Sequence, residues 1–224
     1  MLTLWHSLPG EGLEDLPQIV GLSLAVSGGA TVLAAVLGVL FAAWLAFTRF
    51  AGRRAVVVGL NALLGLPPVV VGLVLYLLLS RQGPLGALGL LFTPGAMVVA
   101  QATLATPIVA ALAHRVLEAN WERFGRALAA SGAGRWRSVR PLLGMSRRAL
   151  LTAVLAGFGR TVSEVGAVLV VGGNIAGHTR TMTTAIALET SKGNLDLALG
   201  LGFVLIGISV TVSATVVLLG EARS

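Results

Sequence analysis

Five long apolar stretches decide what this chain can fold into. Each contains the roughly 17–25 residues that an α-helix needs to cross the hydrocarbon of a bilayer. The predicted spans cover about residues 17–47, 55–79, 94–113, 149–171 and 195–220. Because the first and last exceed a perpendicular crossing, we expect them to tilt or to extend into the interface. The sequence therefore predicts an all-α membrane protein with five transmembrane helices.

The composition agrees with a membrane location. Of the 224 residues, 56% are hydrophobic and only 11% are charged, whereas a soluble domain carries about 25% charged residues. Such a chain has too little polar surface to cover a water-soluble fold. Its 29 glycines fit the same class, because small residues let transmembrane helices approach closely.

The arginines predict the orientation of the chain. With five spans, twelve of the sixteen basic residues fall on one side, after the first span, between the third and fourth, or at the C-terminus. The positive-inside rule makes that side cytoplasmic. We therefore expect an extracytoplasmic segment at residues 1–16, a cytoplasmic loop at 114–148 and a cytoplasmic tail at 221–224. The net charge of +7 is then a topological signal, and nucleic-acid binding is not expected.

The residue inventory excludes several kinds of chemistry. The chain has no cysteine, which excludes disulfides, thiolate metal sites and cysteine nucleophiles. Its three histidines lie on different segments without paired helical spacing, so we expect no metal site and no catalytic residues. No Gly-rich phosphate-binding motif with its lysine occurs, so ATP cannot be held in that way. We predict no cofactor in this chain, and any ATP would be bound by a partner.

A basic segment, residues 126–145, lies between the third and fourth predicted spans and has the sequence RALAASGAGRWRSVRPLLGM. Helix-forming residues precede a turn that contains Gly132 and Gly134, and glycine permits the backbone angles of a sharp turn. On these residues alone, the segment is either a topological loop or a functional one.

This pattern resembles the EAA loop of ABC-transporter permeases, which docks onto a separate ATPase subunit. Aligning on Gly132 puts Ala127 in place, and the pair Arg135–Trp136 follows. Arg126 stands where the family has glutamate, and Gly144–Met145 stands where it has Leu-Pro. The resemblance implies that an ATPase is coupled through Arg126, Ala127, Gly132, Arg135 and Trp136.

Two further runs resemble the oxyanion branch of these permeases, which handles molybdate, sulfate and tungstate. They are GRTVSEVGA at residues 159–167 and GGNIAGHTRT at 172–181. TMTTAIALETSKG at 181–193 and GPLGALGLLFTP at 83–94 are most similar to tungstate permeases. The resemblance implies a type I ABC importer fold, a second permease copy, an ABC ATPase and an extracytoplasmic tungstate-binding protein.

Arg160 and Glu164 fall near the middle of the fourth predicted span, and their spacing places them on one helix face. Because a central charge costs roughly 2.5–3.5 kcal/mol on insertion scales, the pair should face protein or water. It is either a structural pair at a dimer interface or part of the translocation path, where Ser163 would add a hydroxyl.

Residues 174–193 are expected outside, where 181–191 form either an interfacial helix or a polar loop. A tetrahedral dianion only accepts hydrogen bonds, so its partners are donors. Asn174, Thr179, Arg180 and Thr181 supply such groups and are candidate outer-gate or anion contacts. In the second span, Pro67–Pro68 should kink the helix, for gating or for packing.

The interpretation that follows is a tungstate permease subunit of an ABC importer in the inner membrane, with its N-terminus outside. Molybdate or sulfate is the nearest alternative substrate. An ion-coupled secondary transporter is the alternative of another class, and inverted repeats would favour it.

Overall fold

The computed structural model describes residues 16–130, 132 and 134–222, in which helices are joined by turns and loops and no strand occurs. Nine α-helices are present in it: α1 Leu16–Phe47, α2 Arg53–Ala62, α3 Pro68–Leu79, α4 Pro94–Ala130, α5 Val139–Met145, α6 Arg147–Val162, α7 Gly166–Gly172, α8 Met182–Ser191 and α9 Leu195–Ala222. The predicted extracytoplasmic segment lies outside the described residues except for Leu16, as do the last two residues of the predicted tail.

Three of the described helices, α1, α4 and α9, are long and apolar enough to cross a membrane. Two bent pairs bring the number to five if each pair forms one span. One pair joins α2 to α3 across a bend of 100°, and the other joins α5 to α6 across 74°. The all-α membrane class is therefore confirmed, with three to five candidate spans.

The predicted kink at Pro67–Pro68 is present, because α3 begins at Pro68 directly after the 100° bend. The third predicted span belongs to a longer helix, since α4 continues for 37 residues to Ala130. The fourth is interrupted: α6 ends at Val162, and α7 begins only at Gly166. The prediction of one continuous helix over residues 149–171 is therefore wrong at residues 163–165.

The chain forms two compact units. The first, which we call the α3/α7 unit, comprises Pro68–Gln101, Val162–Val212 and the described part of Met1–Gly29. The second, the α5/α6 unit, comprises Ala30–Pro67, Ala102–Thr161 and the described part of Ser213–Ser224. Helices α1, α4 and α9 each contribute residues to both units.

Close backbone contact between α3 and α7 organises the first unit. A Cβ atom placed on Gly72 would lie 2.8 Å from Cα of Ala167. Nearby, the backbone N–H of Phe92 donates to the carbonyl of Val171 over 2.9 Å. Glycine is needed at residue 72 because the neighbouring atom is backbone and cannot turn aside.

Small side chains build the core of the second unit around Leu142 of α5. Leu142 is fully buried among residues of α1 and α4. These residues are Ala42, Ala43, Ala46, Phe47, Ala113 and Leu117. A short helix from the basic segment is thus fixed by apolar packing to the end of α1 and to the middle of α4.

We expect Gly72→Ala to lower the stability of the protein by about 1–3 kcal/mol, because the added methyl group overpacks the contact with α7. The melting temperature of the detergent-purified protein measures the effect. Gly59→Ala is the matched control, since no atom lies within 4 Å of its added Cβ. Equal melting temperatures for the wild type and Gly72→Ala would contradict this account of the contact.

Candidate coupling surface and translocation segment

The basic segment begins as the last turn of α4 and changes direction at Gly132. The φ angle of Gly132 is +79°, in the left-handed region where side chains other than glycine are strained. Its N–H donates to the carbonyl of Ala129 over 3.0 Å, an arrangement that satisfies a terminal carbonyl of the helix. Gly132 therefore ends α4 and starts the turn that leads to α5.

Buried polar contacts hold the segment at both ends of α5. Ser138 is fully buried, and its hydroxyl donates to the carbonyl of Gly134 over 3.1 Å. Beyond α5, the Asn120 amide donates to the hydroxyl of Ser146 over 2.7 Å. Together with Leu142, these contacts make the segment an ordered part of the fold.

The outward surface of the segment combines apolar and cationic side chains. Trp136 is 60% exposed and Met145 is 55% exposed. Three arginines of the same segment are also exposed, namely Arg126, Arg137 and Arg140. Aromatic residues, methionine and arginine are enriched in protein–protein interfaces, so this surface has the composition of a docking site.

The two members of the Arg135–Trp136 pair have different environments. Trp136 is exposed, whereas Arg135 is half-buried and places its guanidinium 4.8 Å from the centre of the Trp121 ring. Burial lowers the pKa of Arg135 from its usual value, and the positive charges of Arg49 and Arg53 add to this effect. The side chain thus packs against the protein and remains a charged hydrogen-bond donor.

A polar network beside the segment was not predicted from the sequence. Arg53 donates to the carbonyl of Leu45 over 2.9 Å and to Glu118 over 2.7 Å, and it lies 3.1 Å from Nε2 of His114. Arg115 reaches Asn61 in the same region over 2.8 Å. The network ties α1, α2 and α4 together. The four-residue spacing of His114 and Glu118 is the only sequence signal that indicates part of it.

The second group of candidate residues lies along the chain where α6 ends. Arg160 lies in the last turn of α6, and Ser163 is exposed immediately after the helix. Glu164 is 2% exposed; its carboxylate accepts from the N–H of Ala167 over 2.9 Å, and its carbonyl accepts from the hydroxyl of Thr183. The expectation that Arg160 and Glu164 share one face of a continuous helix is wrong, because α6 ends between them.

Two of the predicted anion contacts have buried hydroxyls that bond within the protein. Thr179 donates to the carbonyl of Gly172 over 2.6 Å and accepts from the N–H of Ile175 over 2.9 Å. Thr181 forms the N-terminal capping box of α8 together with Thr184. In this structure both hydroxyls stabilise backbone rather than face solvent.

Asn174 and Arg180 are half-buried in the connection between α7 and α8. Asn174 has a φ angle of +50°, which asparagine adopts more readily than most side chains. Its Oδ1 and the Nε of Arg180 are buried and form no hydrogen bond to a described residue. Of the two groups, only the guanidinium of Arg180 can donate to an anion from its unbonded atom.

The structure groups the predicted residues by unit. Those of the basic segment belong to the α5/α6 unit together with Arg160, and the remaining candidates belong to the α3/α7 unit. No cluster of three or more metal-ligating side chains occurs among the described residues. The geometry therefore offers a docking surface in one unit and a polar, irregular helix break in the other.

Residues 34–220 match the protein family described as "Binding-protein-dependent transport system inner membrane component". This match covers most of the chain, including all elements from α2 to α8. The chain belongs to this permease family. It is thus a multi-pass component of the inner membrane.

Individual relatives refine the comparison. The permease is 39% identical over 206 residues to the tungstate uptake system permease protein TupB of Peptoclostridium acidaminophilum, covering 91% of this chain and 89% of the relative. It is 39% identical over 207 residues to a probable anion ABC transporter permease protein of Haloferax volcanii, covering 90% and 89%. The molybdenum transport system permease protein ModB of Azotobacter vinelandii is 35% identical over 181 residues, covering 77% and 80%.

We expect Thr179→Val to destabilise the permease by about 1–3 kcal/mol, because the carbonyl of Gly172 and the N–H of Ile175 lose their buried partner. Thr190→Val is the control, since the hydroxyl of Thr190 is exposed and donates only to the preceding helical turn. Solubilised yield and melting temperature report the loss. A stable Thr179→Val protein that binds or transports anion poorly would instead make the hydroxyl a substrate contact.

Proposed function

We propose that this chain is the permease subunit of an ABC importer for tungstate and that it contains no catalytic residues. The supporting observation is the ordered, exposed basic segment, which gives a membrane protein of this family a docking surface outside the hydrocarbon. The relative named for tungstate uptake, at 39% identity over nine-tenths of the chain, supports this choice of anion. Molybdate is the second candidate, because a relative named for molybdenum transport is 35% identical.

We infer that the basic segment faces the cytoplasm, with the N-terminus outside and the C-terminus inside. This orientation places twelve of the sixteen basic residues on the cytoplasmic side, as the positive-inside rule favours. It also places Trp136 and Met145 where a cytoplasmic ATPase can reach them. In this proposal ATP is bound by that partner chain, and this chain holds no cofactor.

Coupling in this proposal depends on how the segment is attached. Movement of the ATPase surface acts on α5 through the exposed side chains. Leu142 transmits the movement to the end of α1 and the middle of α4, because it is buried in one apolar cluster with residues of both helices. Because a close-packed interior has few voids and low compressibility, the helices in contact with Leu142 would move together with it. Alternating access is then a change between two packings, biased by the partner at one end.

The substrate path in this proposal runs between two copies of the chain, since five helices leave little room for a gated polar channel in one. Ser163 and Arg160, beside the helix break, are the proposed path residues, and Arg180 is the proposed outer contact. Glu164 is assigned to the fold, because its carboxylate caps the backbone of α7. With the hydroxyls of Thr179 and Thr181 also used internally, capture of the anion falls to a separate binding protein.

Single cysteines test the orientation, because the chain has no native cysteine. We expect an impermeant thiol reagent to label Ser191→Cys in intact cells and Arg140→Cys only after permeabilisation. Both positions are exposed in the structure, so failure to label reports sidedness rather than burial. Labelling of Arg140→Cys from outside would reverse the orientation.

The transport function is tested in proteoliposomes that contain the permease, its ATPase and its binding protein. We expect tungstate-loaded binding protein to stimulate ATP hydrolysis and tungstate uptake. We expect Gly132→Pro to lower both stimulated rates at least about tenfold. Proline holds φ near −65°, whereas the turn needs +79° at this residue. The alternative anion is scored in the same vesicles by replacing tungstate with molybdate.

Gly134→Ala is the control in this assay, because Gly134 has no atom within 4 Å of an added Cβ. Membrane insertion of each variant is checked by its yield. Full stimulation in an inserted Gly132→Pro protein would make the segment a topological loop. Uptake driven by an ion gradient without ATP would favour the secondary-transporter alternative.

A further inference from the structure

A cavity of about 490 Å³ lies in the α5/α6 unit beside the basic segment. This volume falls within the range of about 300–1,000 Å³ that is typical of small-molecule sites. Its charged lining comprises Arg49, Arg53, Arg126, Arg135, Glu118 and Glu122. Four arginines against two glutamates give the cavity an excess of two positive charges.

Charge within this cavity is unevenly compensated. Arg53 forms its ion pair with Glu118 at 2.7 Å, so these two side chains neutralise each other. Arg49, Arg126 and Arg135 then share the cavity with one further carboxylate, that of Glu122. A concave surface with a surplus of one sign concentrates the opposite ion, so the cavity attracts anions.

Arg135 is positioned in this cavity by a cation–π contact with an aromatic ring. Its guanidinium lies 4.8 Å from the centre of the Trp121 ring. Its Nε is buried and forms no hydrogen bond to any residue in the described part of the chain. A buried cationic donor is stabilised by an acceptor that carries negative charge. An anion with several acceptor oxygens meets that requirement.

The cavity lies at the end of a candidate span. Helix α1 ends at Phe47, and Thr48 and Arg49 line the cavity immediately beyond it. Next to them, Trp44 is 40% exposed and stacks on Phe50 with ring centres 5.1 Å apart. Exposed aromatic side chains at a span's end are typical of the head-group level of a bilayer. The cationic cavity is therefore within reach of lipid phosphates.

We propose that this cavity binds the phosphate of an anionic membrane lipid, with Arg49, Arg126 and Arg135 as donors. Guanidinium groups match phosphate oxygens in paired hydrogen bonds, and basic pockets between spanning helices on the cytoplasmic side bind anionic head groups. A soluble oxyanion shares this acceptor chemistry, but the aromatic pair and the end of the span favour the lipid. The bound phosphate would join two arginines of the basic segment to the end of α1.

This inference depends on the cavity and on the membrane location, and it does not depend on tungstate being the substrate. Its test is native mass spectrometry of the full-length permease, titrated with phosphatidylglycerol or with phosphatidylcholine. We expect phosphatidylglycerol to bind selectively, and we expect Arg49→Gln and Arg135→Gln each to weaken it by about tenfold or more. Arg137→Gln is the matched control, because Arg137 is an exposed arginine of the same segment that does not line the cavity.

Arg49→Gln is the decisive variant, since Arg49 lies outside the basic segment and stacks on no aromatic ring among the described residues. Equal affinity for the two lipids would overturn the proposal, as would unchanged binding to Arg49→Gln and Arg135→Gln. Equal weakening by Arg137→Gln would reduce the effect to general surface charge and would also overturn it. Inorganic phosphate and tungstate are titrated separately in phosphatidylcholine nanodiscs. Arg49-dependent binding of either anion, without selectivity for phosphatidylglycerol, would reject the lipid and assign the cavity to a soluble oxyanion.

Discussion

A bilayer core provides no hydrogen-bond partner for a peptide group, so backbone that leaves the helix there must find one in the protein. This chain leaves the helix repeatedly in its α3/α7 unit, and side chains supply hydrogen-bond partners for the backbone at several of these breaks. The carboxylate of Glu164 accepts from the N–H of Ala167, and the hydroxyl of Ser23 accepts from the N–H of Met182. The hydroxyl of Thr179 accepts from the N–H of Ile175 and donates to the carbonyl of Gly172. The polar residues of this unit therefore stabilise an irregular backbone between its helices.

The α5/α6 unit meets a different requirement, because its basic segment has to be both exposed and firmly attached. Exposure comes from Trp136 and the arginines around it, whereas attachment comes from Leu142 and the Asn120–Ser146 contact. Most of the buried residues packed around Leu142 are alanines, whose short side chains let the backbones of α1 and α4 lie close to it. Apolar packing and the Asn120–Ser146 hydrogen bond thus attach the exposed segment to α1 and α4.

The sequence predicts the membrane class and the apolar stretches well, because the hydrophobicity that places a side chain in hydrocarbon is set by the residue type alone. It also predicts the bend at Pro67–Pro68, where the cause is local. The break after Val162 has no such signal, so the four-residue spacing of Arg160 and Glu164 suggested one continuous helix, whereas α6 ends between them. Similarly, a threonine hydroxyl at residue 179 is a donor in any sequence, but only the fold decides that its partner is Gly172. The Arg53 network was missed because its members come from three helices.

The cavity and the surface near it carry almost only one kind of cation. Fifteen of the sixteen basic residues are arginines, and Lys192 after α8 is the exception. Guanidinium groups stay protonated throughout the range of pH in which proteins fold, so the positive field of this face does not vary with acidity as a field built from histidines would. Amine-directed chemistry also distinguishes Lys192 from the arginines. Acylating reagents would modify the amine of Lys192 and leave the guanidinium groups unmodified, so a label or a solid support can be attached at Lys192 without changing the charge of the cavity.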